Sequence, residues 1–203
     1  MKPYERLGEA RTPRGTVLAL YRHDGAYLIR ADGVELMSTR RHLSEDQLAD
    51  VACAPQRGPQ REAEVVVAEL VAEVIAWNAD PAYGISADAM RDPRTRVVHD
   101  DVVHVLRDNP GGFDAIMLDT DNGPDGMLMA ENAALYAAQG IERTMAALRP
   151  GGTIAYWSVG DDPRFLHALR RAGLAVETLR VRAHDTAGPM HTLYVATRRA
   201  PRG

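Results

Sequence analysis

Phe113-Asp114-Ala115-Ile116-Met117-Leu118-Asp119 is the stretch whose reading decides the fold. It is a short, nearly continuous apolar run that gives way at once to Thr120-Asp121-Asn122-Gly123-Pro124-Asp125-Gly126, a string of residues that turns use. A run of that length bounded by turn chemistry predicts a strand buried on both faces, the kind found in parallel sheets covered by crossover helices.

Outward from it, the same alternation of apolar runs and helical spacing predicts strands over Glu64 to Leu70, Arg96 to His99, Thr153 to Ser158, Ala175 to Arg182 and His191 to Arg198, with helices between them. Leu135, Ile141, Met145 and Leu148 fit one helix face, and Pro150-Gly151-Gly152 stops that helix. Phe165, Leu166, Leu169 and Leu174 fit another, ended by Gly173. Only His184 to Met190 separates the last two strands, too little for a crossover helix, so they should form an antiparallel pair. The expectation is α/β: one sheet from Glu64 to Arg198 with helices on both faces and an antiparallel final pair.

Upstream the pattern differs. Short apolar runs from Thr16 to Tyr21, Ala26 to Arg30 and Val34 to Met37 are joined by Asp24-Gly25 and Asp32-Gly33, which predicts a small β-meander. Ser44 and Gln47 have the spacing of a capping box, placing a helix start at Ser44. The stretch from Ala54 to Arg61 breaks every periodicity. The expected domains are therefore 1–53, a linker at 54–63, and 64–203.

Composition narrows the function classes. The 203 residues carry 24 Lys and Arg against 28 Asp and Glu, a formal net charge of −4, so sequence-independent phosphate binding, and with it nucleic acid, is not expected. The single cysteine, Cys53, cannot form an internal disulfide, and no signal or spanning apolar run is present, so the expected setting is the cytoplasm and no membrane. The 7 histidines show no metal-ligand spacing, and no metal is expected. Serine-hydrolase elbows and Walker loops are absent.

Ligands of open α/β sheets bind beyond the carboxyl ends of the strands, which directs attention to Glu69, to Asp100 and Asp101, and to Asp119 with Asp121. The Glu69 carboxylate has two oxygens for the two hydroxyls of a ribose; it is equally placed to cap the helix that follows at Val71. The acids after Phe113 to Leu118 suit a cation, an amine awaiting deprotonation, or a solvated turn. The spacing is not that of a calcium loop.

The order and spacing of Glu64 to Leu70, Val98-His99-Asp100-Asp101, Phe113 to Asp119 and Leu148-Arg149-Pro150-Gly151-Gly152 resemble the class I S-adenosylmethionine-dependent transferases. The spermidine synthase-like branch, which opens with a small β-domain like Tyr27 to Ser38, is the nearer likeness. The resemblance implies a Rossmann-like sheet and a transferase whose donor is S-adenosylmethionine or its decarboxylated form. It further implies Glu69 on the donor ribose, Asp100 and Asp101 at the adenine end, with Asp101 on its amine, and Asp119, with Asp121, as the base for an acceptor nitrogen. A homodimer and a small-molecule acceptor are expected with it.

Three departures stand beside the resemblance. The strand, glycine-rich loop and helix that open such a sheet, roughly 30 residues of a βαβ unit, are missing between Pro59 and Glu64, and with them the central strand. Either the remaining strands re-pair, dimerisation covers their edges, or the chain lacks a segment of the natural protein. Asp119-Thr120-Asp121-Asn122-Gly123-Pro124 is shorter than the aminopropyltransferase loop, and Thr39-Arg40-Arg41-His42 forms a basic patch expected to repel a cationic diamine and to suit a neutral or anionic acceptor. Two alternatives to aminopropyl transfer remain open: methyl transfer to a non-polyamine small molecule, and a degenerate binding or dimerisation module.

Overall fold

The computed structural model describes residues 3–56, 63–119, 133–184 and 188–198. Compactness divides the chain into two units, Met1–Arg41 with Gln60–Val105, and His42–Pro59 with Leu106–Gly203. This division crosses the expected boundary at 54–63, because the packing of the first four strands against a later helix outweighs their distance along the chain.

In the first unit, β1 (Glu5–Arg11), β2 (Val17–His23), β3 (Ala26–Ala31) and β4 (Val34–Ser38) form an antiparallel sheet in sequence order. Both predicted two-residue turns are present. Asp24 and Gly25 have φ of 49° and 79°, and Asp32 and Gly33 have 46° and 86°, positive at both central positions as the right-handed twist of a hairpin demands. The sequence did not show β1, whose charged residues and Gly8 give no period-two signal. Gly8 lies at a register shift in β1, and a Cβ there would stand 2.7 Å from Trp77 Nε1. Trp77 belongs to α2 (Ala72–Ala79) and packs with Val71 and Val74 against Ala10, Leu18, Leu20, Ile29 and Ala31. After α2 come α3 (Ala87–Arg91), β6 (Thr95–His99) and α4 (Val102–Asp108); β6 pairs in parallel with β5 (Val65–Glu69).

The second unit holds α1 (Leu43–Cys53), β7 (Phe113–Leu118), α5 (Ala133–Tyr136), α6 (Ala138–Ala147), β8 (Leu148–Ser158), α7 (Pro163–Arg171), β9 (Leu174–Arg182) and β10 (Met190–Arg198). Its sheet has the order β7-β8-β10-β9, with β7 and β8 parallel and the pairs β8–β10 and β10–β9 antiparallel, so the expected closing pair is present. Helix α1 covers it with Leu48 and Ala52 against Ala155, Trp157, Val181 and Leu193. Ser44 does not cap α1. His42 holds that position without a side-chain capping bond, and the Ser44 hydroxyl, fully buried, accepts the Trp157 indole N–H at 3.1 Å. The helix expected from Leu135 to Leu148 breaks at Ala137, and β8 begins at Leu148, earlier than expected, because residues 149–152 bulge out between the pairs Phe113–Leu148 and Ala115–Thr153. The N-terminus of α7 is capped by Asp162, whose carboxylate accepts the Arg164 and Phe165 N–H groups.

Among the described residues, the strands expected from Glu64 to Arg198 fall in two units, β5 and β6 in the first and β7 to β10 in the second. Within the first unit β5 pairs with β6, and within the second β7 pairs with β8. Both β5 and β7 were expected to be buried on both faces, whereas Val65, Val67 and Met117 are 43%, 38% and 41% exposed. No helix among the described residues is long and apolar enough to cross a membrane.

The Gly8–Trp77 contact gives a direct test of the first unit. Gly8→Val should destabilise the protein by about 1–3 kcal/mol, since a buried indole cannot yield without cost. Gly160→Ala, with nothing within 4 Å of its added Cβ, should leave the urea midpoint unchanged.

Candidate functional site

The parallel register of β5 and β6 sets Glu69 opposite His99. Both strands end there, and the chain turns into a helix from each, so Glu69, His99, Asp100 and Asp101 gather at one carboxyl edge. The half-buried Glu69 carboxylate accepts the Val71 N–H at 2.7 Å on Oε1. Val71 is the N-cap of α2, so the helix-capping alternative is realised. Capping does not exhaust the carboxylate, which has four lone-pair sites on two oxygens. Burial pushes the Glu69 carboxyl above its ordinary value; the N–H groups of Val71 and Leu70, and then the charge of His99, oppose the rise.

His99 Nε2 lies 3.0 Å from the Leu70 carbonyl oxygen. An acceptor there requires that this nitrogen carry the proton. Asp100 is exposed, and its Oδ1 accepts the Asp101 N–H at 2.7 Å and faces His104 Nδ1 at 3.0 Å. Asp101 accepts the Val103 N–H at 2.8 Å, fixing the first turn of α4. The sequence placed all three acids correctly at strand ends. It gave His99 no role beyond ending a strand, because the group it meets lies 29 residues away.

Asp119 follows directly on the last residue of β7, in the second unit, and is exposed. Asp121 and Asp125 lie outside the described residues. The basic patch is not the bare cationic surface that the sequence suggested. Arg40 donates to the Asp24 carbonyl and lies 3.4 Å from its carboxylate, Arg41 pairs with Glu35, and His42 Nδ1 is 2.7 Å from Asp46. Each arginine of the stretch faces an acid, so the two supply little net field to repel a diamine or to attract an anion. Among the described residues no group of three His, Cys, Asp or Glu side chains could hold a metal ion.

The sequence matches no protein-family model and no curated protein. Several solved structures are similar in fold. Spermidine synthase from Thermotoga maritima shares 13% identity at a TM-score of 0.70, over 97% of this chain and 74% of that one. A spermidine synthase in complex with the transition state analogue AdoDATO gives 0.68 at 13% identity, over 97% and 73%. The 1,6-didemethyltoxoflavin-N1-methyltransferase of Burkholderia thailandensis, with bound S-adenosylhomocysteine, gives 0.50 at 16% identity, over 75% and 77%. The chain thus has the α/β fold of the spermidine synthases and class I S-adenosylmethionine-dependent methyltransferases, preceded by an antiparallel N-terminal sheet.

The raised Glu69 carboxyl has a signature in stability. Held protonated to higher pH when folded than when unfolded, it makes folding take up a proton, so its contribution is full below the ordinary value of 4.5 and is lost as pH rises through the raised value. Glu69→Gln keeps an acceptor for the Val71 N–H and removes the ionisation. Urea unfolding at stepped pH should show the variant gaining on the wild type as pH rises through that window; a difference independent of pH would contradict the assignment.

Proposed function

We propose that the chain binds a nucleoside of the S-adenosylmethionine type at the carboxyl edge of β5 and β6, and transfers an aminopropyl group from its decarboxylated form to the nitrogen of a small-molecule acceptor. The observation that carries the reading is the Glu69 carboxylate: half-buried, at a strand end, oriented by a backbone N–H, with acceptor sites left for two vicinal hydroxyls. The fold likeness supports it, since spermidine synthases cover 97% of the chain, whereas the methyltransferase covers 75%.

In this reading Glu69 accepts the ribose hydroxyls and Asp101, with Asp100 beside it, receives the adenine amine. The donor supplies a sulfonium, an already activated leaving group. The acceptor nitrogen attacks the carbon bound to sulfur, the carbon–sulfur bond breaks with its electron pair passing to sulfur, and the proton of the attacking amine goes to the Asp119 carboxylate, with Asp121 as the second acid of that loop. The chain's own work is placement and proton removal. The residues present fit the ribose and adenine end of the donor; the glycine-rich unit that approaches the rest of the donor in such folds has no counterpart between Pro59 and Glu64.

The lack of a glycine-rich unit between Pro59 and Glu64 favours a second reading, a binding or dimerisation module of the same fold. Transfer to a diamine, followed by mass spectrometry of the product, separates the two. Asp119→Asn keeps size and most hydrogen bonding, and should lower aminopropyl transfer by about 10²- to 10⁴-fold, the usual contribution of a positioned base. Unchanged turnover would mean that the base lies elsewhere; no transfer by the wild type from either donor form favours the module. Methyl transfer alone, from S-adenosylmethionine and little affected by Asp119→Asn, would replace the aminopropyl reading with methyl transfer.

A further inference from the structure

The peptide group between Leu70 and Val71 is held at both ends. Its carbonyl oxygen meets His99 Nε2 at 3.0 Å, and its N–H meets Glu69 Oε1 at 2.7 Å. The backbone ladder does not do this work. The last β5–β6 pair is Glu69 with His99, and the following N–H of Asp100 turns back to the Val98 carbonyl at 3.1 Å. The Leu70 carbonyl thus lies one step past the end of the ladder, where the His99 ring reaches across from the neighbouring strand.

We propose that His99 is a positioning residue for Glu69, fixing the orientation of its carboxylate through the Leu70–Val71 peptide. A donor on the carbonyl polarises the amide and strengthens the hydrogen bond that its N–H gives, so the two bonds reinforce one another. The ring is anchored in turn, because the chain just beyond it is fastened by the bond from the Val103 N–H to Asp101. That this orientation serves nucleoside binding rests on the reading of Glu69 as the ribose acceptor.

The test uses the whole chain, with every variant measured at one and the same pH. His99→Phe removes the donor; His99→Gln restores one near the position of Nε2. In proton–nitrogen correlation spectra the Val71 amide proton should move upfield in His99→Phe and return in His99→Gln. Titration calorimetry with S-adenosylmethionine and its decarboxylated form should show the tighter ligand weakened about fivefold in His99→Phe, as for loss of one hydrogen bond, and restored in His99→Gln. An unmoved Val71 resonance in His99→Phe, or an equal change in both variants, overturns the proposal, as does unchanged nucleoside affinity in His99→Phe. The predicted spectral pattern in a wild type that binds neither nucleoside leaves His99 positioning Glu69 and refutes the donor reading instead.

Discussion

Parallel pairing of β5 with β6 is the constraint on which the candidate site depends. In that register Val65 faces Thr95 and Glu69 faces His99, so both strands run out at the same level and both chains must turn into helices side by side. A slip of one residue would turn each side chain to the opposite face and separate the carboxylate from the ring. The short-range bonds then follow: Glu69 to the Val71 N–H, Asp101 to the Val103 N–H, Asp100 to the Asp101 N–H. Each satisfies a donor that the start of a helix would otherwise leave without one. The same acids therefore serve the fold and stand where such sheets bind their ligands.

A two-stranded parallel ribbon is a weak structure alone. The first unit does not rest on the ribbon. Its stability comes from the meander packing on α2, where Trp77 sits on Gly8 and fills the space beside Leu18, Leu20 and Ile29. In the second unit, β10 is central, with Leu193 and Ala196 fully buried and pairing on both sides.

Much of the fold was legible in the sequence, and the failures share a cause. The Asp-Gly turns and the antiparallel closing pair are written in residues close together, and all were read. What was missed depends on residues far apart. The strand β1 exists because β2 pairs with it and Trp77 covers it, not because Glu5-Arg6-Leu7-Gly8-Glu9-Ala10-Arg11 looks like a strand. Ser44 has the spacing of a cap, but Trp157, 113 residues on, takes its hydroxyl. At the site the acids at strand ends were found, whereas the partner of His99 depends on register. The arginines at 40 and 41 looked free only because Asp24 and Glu35 come near them through the turns of the meander.

In the proposed function, the carboxyl edge of β5 and β6 holds the nucleoside end of a sulfonium donor through Glu69. Isothermal titration of the wild type and Glu69→Gln with S-adenosylmethionine and with decarboxylated S-adenosylmethionine tests it most directly. The wild type should bind saturably, more tightly to the decarboxylated form, and Glu69→Gln should bind markedly more weakly with the fold retained. Binding of neither compound by a folded wild type, or equal affinity in the variant, would contradict it.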